Sequence, residues 1–313
     1  MPKKGPLTLI SDSRYKEVAE KLCVQQNLNF QLFDEHLKIS QKDLASESSL
    51  TISELKFWRK KLKAKLSPQK NILEQLRRVK TSQEIKIIQS AQAHVDQILP
   101  EFVKKVLQKG VTEAEAAFKL EIDLRDNGLY GLSFDPIVAF GKNSALPHHH
   151  PNNTKLKDNT NILIDCGIKS QGYCTDMTRN FAYGKLSAEY QNKYDLLLKA
   201  QEETLKQVKS GVSPKKLDLF CRDKLGDQAK FFTHSLGHGV GLEIHETPGL
   251  SSKYKAQSGF PSKLQTNEII TIEPGLYFPG KFGIRIEDLV VVKEEGGEVL
   301  SKMKKPLSPL ICK

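Results

Sequence analysis

The stretch NILIDCGIKSQGYCTDMTRNFAY, residues 161–183, decides the fold. Two apolar, β-rich segments flank a polar turn containing Gly172, which predicts an antiparallel hairpin. Asp165 and Asp176 fall inside the two strands and face each other. A carboxylate within an apolar strand is costly to bury unless a cation or a donor offsets its charge, so a facing pair suggests a metal site. Three later stretches place ionisable side chains in similar apolar or glycine-rich frames. HSLGHGVGLEIHETP (234–248) carries His234, His238 and His245, EIITIEPGLYF (268–278) carries Glu273, and GIRIEDLVVV (283–292) carries Glu287. Asp165, Asp176, His238, Glu273 and Glu287 together make two Asp, two Glu and one His.

Working outward, the 313 residues are enough for a sizeable core in one large domain or two. The composition, 38% hydrophobic and 27% charged, is that of an ordinary globular protein. The opening MPKKGPLTLISDSR has too short an apolar run for a signal peptide, and no segment approaches the roughly 18 apolar residues of a membrane span. A cytosolic location is expected. Five cysteines with no CxxC pair fit unpaired thiols in a reducing compartment. Cys166 should point away from Asp165, whereas Cys174 shares a face with Asp176. A small buried side chain is still the simpler reading of Cys174. The net charge of +11 is concentrated in residues 1–90, where 18 Lys and Arg stand against 10 Asp and Glu. Basic-aromatic interleaving is missing, so a solvated basic face is favoured over nucleic-acid binding.

The first part of the chain reads as a small α/β unit. LTLIS (7–11) and NFQLF (29–33) are strands, with a helix between them capped by Asp12 or Ser13. A second helix spans 53–66, with Leu55, Trp58, Leu62 and Leu66 at helical spacing and Trp58 as core anchor. Ser67-Pro68 ends it, and a domain boundary follows, giving 1–71 and 72–313. Helices then cover 72–107 with a break near 80–82, and Pro100 should kink or interrupt the second of them. The lone His94 reads as a surface or satisfied core residue. Thr112 caps another helix ending near 127–128. FDPIVAFG (134–141) is a strand, followed by a polar loop with three histidines, His148, His149 and His150. Two more helices, 188–209 and 214–225, separate the hairpin from the histidine segment.

Oxygen ligands plus one imidazole suit Mn²⁺, Co²⁺, Zn²⁺ or Fe²⁺ better than a thiolate-bound structural zinc. Five such side chains exceed the needs of one ion. Two ions about 3.5–4 Å apart would share the carboxylates, activate a water and polarise a carbonyl, which is hydrolytic chemistry.

DCGIKSQGYCTDMTR, HSLGHGVGLEIHETP, TIEPGLY and GIRIEDLVVV, in this order, resemble the metal-site motifs of the pita-bread metallopeptidases. That group contains methionine aminopeptidase, aminopeptidase P and prolidase. The resemblance covers about residues 72–303 and implies an α+β, pseudo-symmetric catalytic domain with a binuclear site, commonly manganese or cobalt. The matching ligands are Asp165, Asp176, His238, Glu273 and Glu287, with Glu273 also moving a proton. NSALPHHHP, His234 ahead of His238, the HETP segment and IRIED point to the Xaa-Pro branch. By this analogy His148 and His245 bind the substrate and its developing anion. His234 lines the site, Arg285 orients the peptide end or Glu287, and Tyr277 adds a hydrogen bond. The expected substrate is a peptide with proline in second position. LTLISDSRY resembles the middle of the family's N-terminal domain, so that domain is expected to be shortened here, with a homodimer possible. Two other readings stay open, a methionine aminopeptidase and a non-catalytic scaffold that binds protein or nucleic acid on the same fold.

Overall fold

A computed structural model of the chain describes residues 8–11, 29–32, 43–47, 50–69, 72–254, 261–305 and 309–310. They fall into two units, Met1–Ile72 and Leu73–Lys313. In the first, β1 (Thr8–Ser11) pairs in parallel with β2 (Asn29–Leu32). The helix expected between them lies outside the described residues. β3 (Asp43–Glu47) pairs in parallel with β4 (Lys65–Gln69) across helix α1 (Ile52–Leu62), the crossover that parallel strands require. Thr51 and Glu54 cap α1 reciprocally.

α1 is shorter than its apolar spacing predicts. Lys63 turns left-handed at φ 48°, and Leu66 enters β4 as a buried residue. Ser67-Pro68 therefore lies within a strand instead of ending a helix, because pairing with β3 outweighs a weak helical repeat. Proline is tolerated in such a two-stranded ladder, which has open edges. No residue of α1 is buried, and Trp58 is a half-buried side chain set edge-on to Phe57, not a core anchor.

The second unit repeats one scheme, a pair of helices covering an antiparallel sheet. It opens with α2 (Ile72–Arg78) and α3 (Ser82–Val106), the latter capped by Thr81 and Glu84. α3 runs unbroken through Pro100. The missing N–H costs about 3 kcal/mol, but Val95, Leu99, Phe102 and Val103 are all buried on either side of it, and their packing keeps the helix continuous. α4 (Glu113–Arg125) packs beside it. Together they cover β6 (Ile137–Phe140), β7 (Thr160–Cys166) and β10 (Met177–Tyr183), which follow the short β5 (Gly131–Leu132). Ile162, Ile164 and Cys166 alternate toward the helices, which leaves Asp165 on the opposite face.

In the second half α5 (Ala188–Leu205) and α6 (Pro214–Leu225) cover the later strands. These are β11 (Gly237–Gly239), β12 (Glu246–Leu250), β13 (Ile269–Ile272), β14 (Gly275–Phe278), β15 (Phe282–Arg285), β16 (Asp288–Val292) and β17 (Gly297–Val299). The five-stranded sheet has the order β12-β11-β13-β16-β17, and β14 pairs with β15 alone. Pro309–Leu310 adds an edge strand to β10.

The hairpin that opened the sequence reading is more elaborate than a single turn. β7 and β10 pair antiparallel, with Thr178 opposite Asp165. Between them β8 and β9 (Ile168–Ser170 and Tyr173–Cys174) form their own small hairpin about Gln171 and Gly172, both at positive φ. Asp176 consequently sits in the link entering β10 and not directly across from Asp165. Gly167 allows the crossing, because a Cβ there would lie 1.9 Å from the Thr175 carbonyl oxygen. Gly167→Ala should therefore destabilise the protein by about 3 kcal/mol, read as a lower urea midpoint. An unchanged midpoint would show that the pinch is not needed.

Candidate metal centre

Strand register brings the acids together. Ile272 pairs with Asp288, so the residues just past that rung, Glu273 and Glu287, leave the ladder side by side. Their backbones are anchored, the Glu273 N–H on the Leu236 carbonyl at 2.8 Å and the Glu287 N–H on the Thr178 carbonyl at 3.3 Å. β11 supplies His238, whose N–H donates to the Thr271 hydroxyl at 3.0 Å. Asp176, His238 and Glu287 each offer a ligand atom within 4.8 Å of the others. His238 Nε2 also lies 3.5 Å from Glu273 and 3.6 Å from Asp176. Asp165 falls outside that trio. Its Oδ2 accepts from Arg285 Nη2 at 2.6 Å, while its buried Oδ1 has no partner. All five line one cavity of about 600 Å³.

This donor set fits a divalent cation. Burial, then the charges of Glu287, Asp165 and Glu273, pushes the Asp176 carboxyl well above its ordinary range. Burial, then Glu287, does the same to Glu273, and burial, then Asp165, lifts Glu287 to about 8. Mutually repelling carboxylates with an orphaned oxygen among them are what a cation would relieve. His238 is already in the right tautomer. Its Nδ1–H donates to the Gly239 carbonyl at 3.0 Å, so Nε2 presents a lone pair to the acids. Burial holds its pKa down to about 4, which keeps it neutral.

His234 behaves differently. Its Nδ1–H donates to the Ser235 carbonyl at 2.8 Å, so Nε2 must accept, and the Tyr277 hydroxyl donates to it at 2.8 Å. Arg285 Nη1 donates to that same hydroxyl oxygen at 2.9 Å. Burial, then Arg285, drives the His234 pKa down to about 3. Tyr277 thus supports His234 and Arg285 from behind and does not line the cavity. Arg285 pairs with Asp165 and not with Glu287, whose Oε2 accepts from the Thr178 hydroxyl at 2.6 Å.

His148 and His245 both line the cavity. The His245 ring stands edge-on to His238 with 4.3 Å between centroids. Of the triplet, His148 and His150 are exposed and His149 is buried, its Nε2–H donating to Glu113 at 2.8 Å. Glu113, fully buried, also accepts from the Phe140 and Asn152 N–H groups and the Asn143 amide, and so holds the histidine loop in place. In the sequence Glu113 is merely the residue after the Thr112 cap, with nothing to mark its role. Thr178 and Thr271 carry no signal in the sequence; Thr271 lies two residues before Glu273, to which its hydroxyl donates at 3.5 Å, whereas Thr178 frames Glu287 from 109 positions away. Cys166 is buried in the helix-facing core, and Cys174 packs with its sulfur 3.8 Å from the Leu242 carbonyl. Neither cysteine joins the trio. His94 is half-buried against Tyr130, its Nε2 without a partner.

The sequence profile of metallopeptidase family M24 matches residues 86–294. An uncharacterized peptidase of Staphylococcus epidermidis is 39% identical over 235 residues, covering 74% of this chain and 65% of its own length. The chain thus spans just under two thirds of the length of the curated relatives it matches. Among solved structures, an Xaa-Pro dipeptidase from Bacillus anthracis is similar with a TM-score of 0.87 at 33% identity, covering 96% of this chain and 86% of that one. An X-Pro aminopeptidase from Thermotoga maritima has a TM-score of 0.84 at 34% identity, with the same coverage. Prolidase from Pyrococcus furiosus has 0.83 at 30%, covering 95% and 88%.

Adding Mn²⁺ to metal-stripped protein at about a hundredfold excess over its Kd should stabilise it by about 2.7 kcal/mol, a rise in Tm of several degrees. Asp176→Ala and His238→Ala should abolish that rise while keeping the circular dichroism of the parent. A full Mn²⁺ response in either variant would overturn the ligand assignment.

Proposed function

The chain belongs to metallopeptidase family M24, and from that premise we propose that it hydrolyses the Xaa-Pro bond at the N-terminus of peptides. The fold is the α+β pita-bread arrangement of that family. One observation carries the proposal. The cavity that holds Asp165, Asp176, His238, Glu273 and Glu287 is also lined by His148, His234 and His245. The likeness to both dipeptidases and an aminopeptidase that act on Xaa-Pro supports it.

On this reading Asp165, Asp176, His238, Glu273 and Glu287 would hold two divalent ions, Mn²⁺ first, with Co²⁺, Zn²⁺ or Fe²⁺ as alternatives. When bound, such ions polarise the scissile carbonyl and make water a nucleophile near neutral pH. The protein's own groups do the rest. Glu273, its Oε1 within 3.5 Å of Thr271 Oγ1, takes the proton from water and passes it to the proline nitrogen. His148 and His245 hydrogen-bond the substrate carbonyl and stabilise its developing negative charge. His234, neutral and fixed by Tyr277, lines the wall, and Arg285 holds Asp165 in place through an ion pair at 2.6 Å. Phe134, Ile137, Pro147 and Ile244 give the cavity apolar walls suited to a proline ring. Proline's amide has no N–H, so a site that grips the free amino end and the ring needs no contact from that position.

We further propose residues 1–71 as a separate N-terminal domain and 72–313 as the catalytic domain, a cytoplasmic location, and a homodimer. Among the described residues no helix is long and apolar enough to cross a membrane.

Stripped protein should release the N-terminal residue of Ala-Pro-Ala or Ala-Pro only after Mn²⁺ is restored. Cleavage of the tripeptide marks an aminopeptidase and cleavage of the dipeptide alone a dipeptidase. Activity on Met-Ala-Ser with none on Ala-Pro peptides would replace this reading with a methionine aminopeptidase. His148→Ala should lower kcat by about 10²-fold with Mn²⁺ content unchanged. Loss of metal in that variant would make His148 a ligand.

A further inference from the structure

Next to His245 in the chain, and outside the lining of the cavity, lies a largely buried cluster of charges that the chemistry above does not use. Glu246, the residue after His245 and the first of β12, has a side chain only 6% exposed. Both of its oxygens are held. Oε1 accepts from Arg77 Nε at 3.0 Å, from Arg77 Nη2, and from the Glu243 N–H at 3.2 Å. Oε2 accepts from Lys80 Nζ at 3.1 Å, an ammonium on a side chain 1% exposed. Gly241 makes room for this carboxylate, since a Cβ there would lie 2.5 Å from it.

The cations sit on a fixed platform. Val79 bridges to Glu268, and the Lys80 N–H donates to the Asn267 carbonyl at 3.0 Å, ahead of β13. Arg78 pairs with Glu268 and donates to the Pro261 and Lys263 carbonyls, both at 2.9 Å. His245 itself has only a ring contact with His238, and among the described residues its imidazole makes no hydrogen bond. Its placement therefore depends on that ring contact and on the backbone that carries it, and Glu246 is the nearest anchor of that backbone.

We propose that Glu246, gripped by Lys80 and Arg77, is a positioning residue that aims the His245 imidazole into the cavity. The role rests on the reading of His245 as a substrate-binding group. A buried ionised acid with two cations is a stiff hinge pin, because moving it would expose charges to an apolar surrounding without their partners. Residues 77–80, ahead of the cavity-lining motifs in the chain, thereby become part of the site.

The test uses the full chain loaded with Mn²⁺ and four variants, Glu246→Gln, Lys80→Met, His245→Ala, and His245→Ala combined with Glu246→Gln. Glu246→Gln and Lys80→Met should each lower kcat on Ala-Pro-Ala about 30-fold, with KM and bound Mn²⁺ within about twofold of the parent. In the His245→Ala background, Glu246→Gln should cost less than about threefold, since the group it aims is gone. Equal losses in both backgrounds would show a general structural role and overturn the proposal. So would no loss in either single variant.

A second readout is independent of peptide cleavage. In Zn²⁺-loaded protein carrying ¹³C at histidine Cε1, the signal missing from His245→Ala should move in Glu246→Gln and in Lys80→Met, while the His234 signal stays in place. A stationary His245 signal overturns the proposal whatever the enzyme cleaves. A moving signal in a protein that cleaves no Xaa-Pro peptide would uphold the positioning role and reject the substrate assignment. Lys80→Met carries the test alone if Glu246→Gln fails to fold.

Discussion

Repulsion among Asp165, Asp176, Glu273 and Glu287 is the constraint around which the second unit is built. All four line one cavity, and the only guanidinium or ammonium on its lining is that of Arg285, among the described residues. Water would hydrate these groups cheaply, whereas the protein must hold them close in a medium that screens poorly. The backbone supplies the rigidity. Glu273 and Glu287 leave adjacent strands at the same rung, and Asp165 is locked by pairing on both sides of β7. Asp176 is carried by a link pressed against Gly167. With nowhere to retreat, the acids lower their energy by binding protons or cations.

The histidines divide into two kinds by the same logic. His234 and His238 each give Nδ1–H to a backbone carbonyl of the next residue, Ser235 or Gly239. That choice fixes the tautomer and frees Nε2, which in His238 faces the acids and in His234 accepts from Tyr277. Burial then keeps both neutral. A histidinium at His234 would place a second positive charge near Arg285, and at either position it would give up the lone pair on which the residue's role depends. His148 and His245 have no such lock, and their placement is passed to the segments that carry them, one tied down through Glu113 and His149 and the other through Glu246.

The acids and histidines were legible in the sequence because each breaks a local pattern. Asp165 interrupts an apolar strand, Glu273 precedes Pro-Gly, and His238 stands between two glycines. Their partners were not legible, since pairing depends on register. Asp165 and Arg285, 120 positions apart, meet at 2.6 Å once β14 folds back on β15 and β7 is paired on both sides. The same holds for Glu246, which reads as a polar residue in a loop until Lys80 and Arg77 arrive from 166 and 169 residues upstream. Local rules also failed where packing overrode them, as when α3 carried Pro100 without breaking and when α1 yielded its last turn to β4. A short repeat such as Leu62 and Leu66 fits a helix and a strand alike, so long-range pairing decides.

The site also joins the two halves of the second unit. Asp165 comes from the first sheet and Asp176 from the link that enters it, while His238 comes from the second sheet and Glu273 and Glu287 from just beyond the ends of its strands. The direct ties between them at the cavity are few and buried. Arg285 reaches Asp165 and the Thr178 hydroxyl, Thr178 donates to Glu287, and the Glu287 N–H returns to the Thr178 carbonyl. Below them Arg179 spans to Asp288, itself held by Lys305 and Gln201. A cation drawing on acids of both sheets would add its binding energy to this seam, so that affinity for metal and cohesion of the two halves become the same quantity. Substitutions just outside the cavity lining that loosen the seam, at Arg179 or Asp288 for instance, should then appear first as weaker metal binding and only afterwards as unfolding.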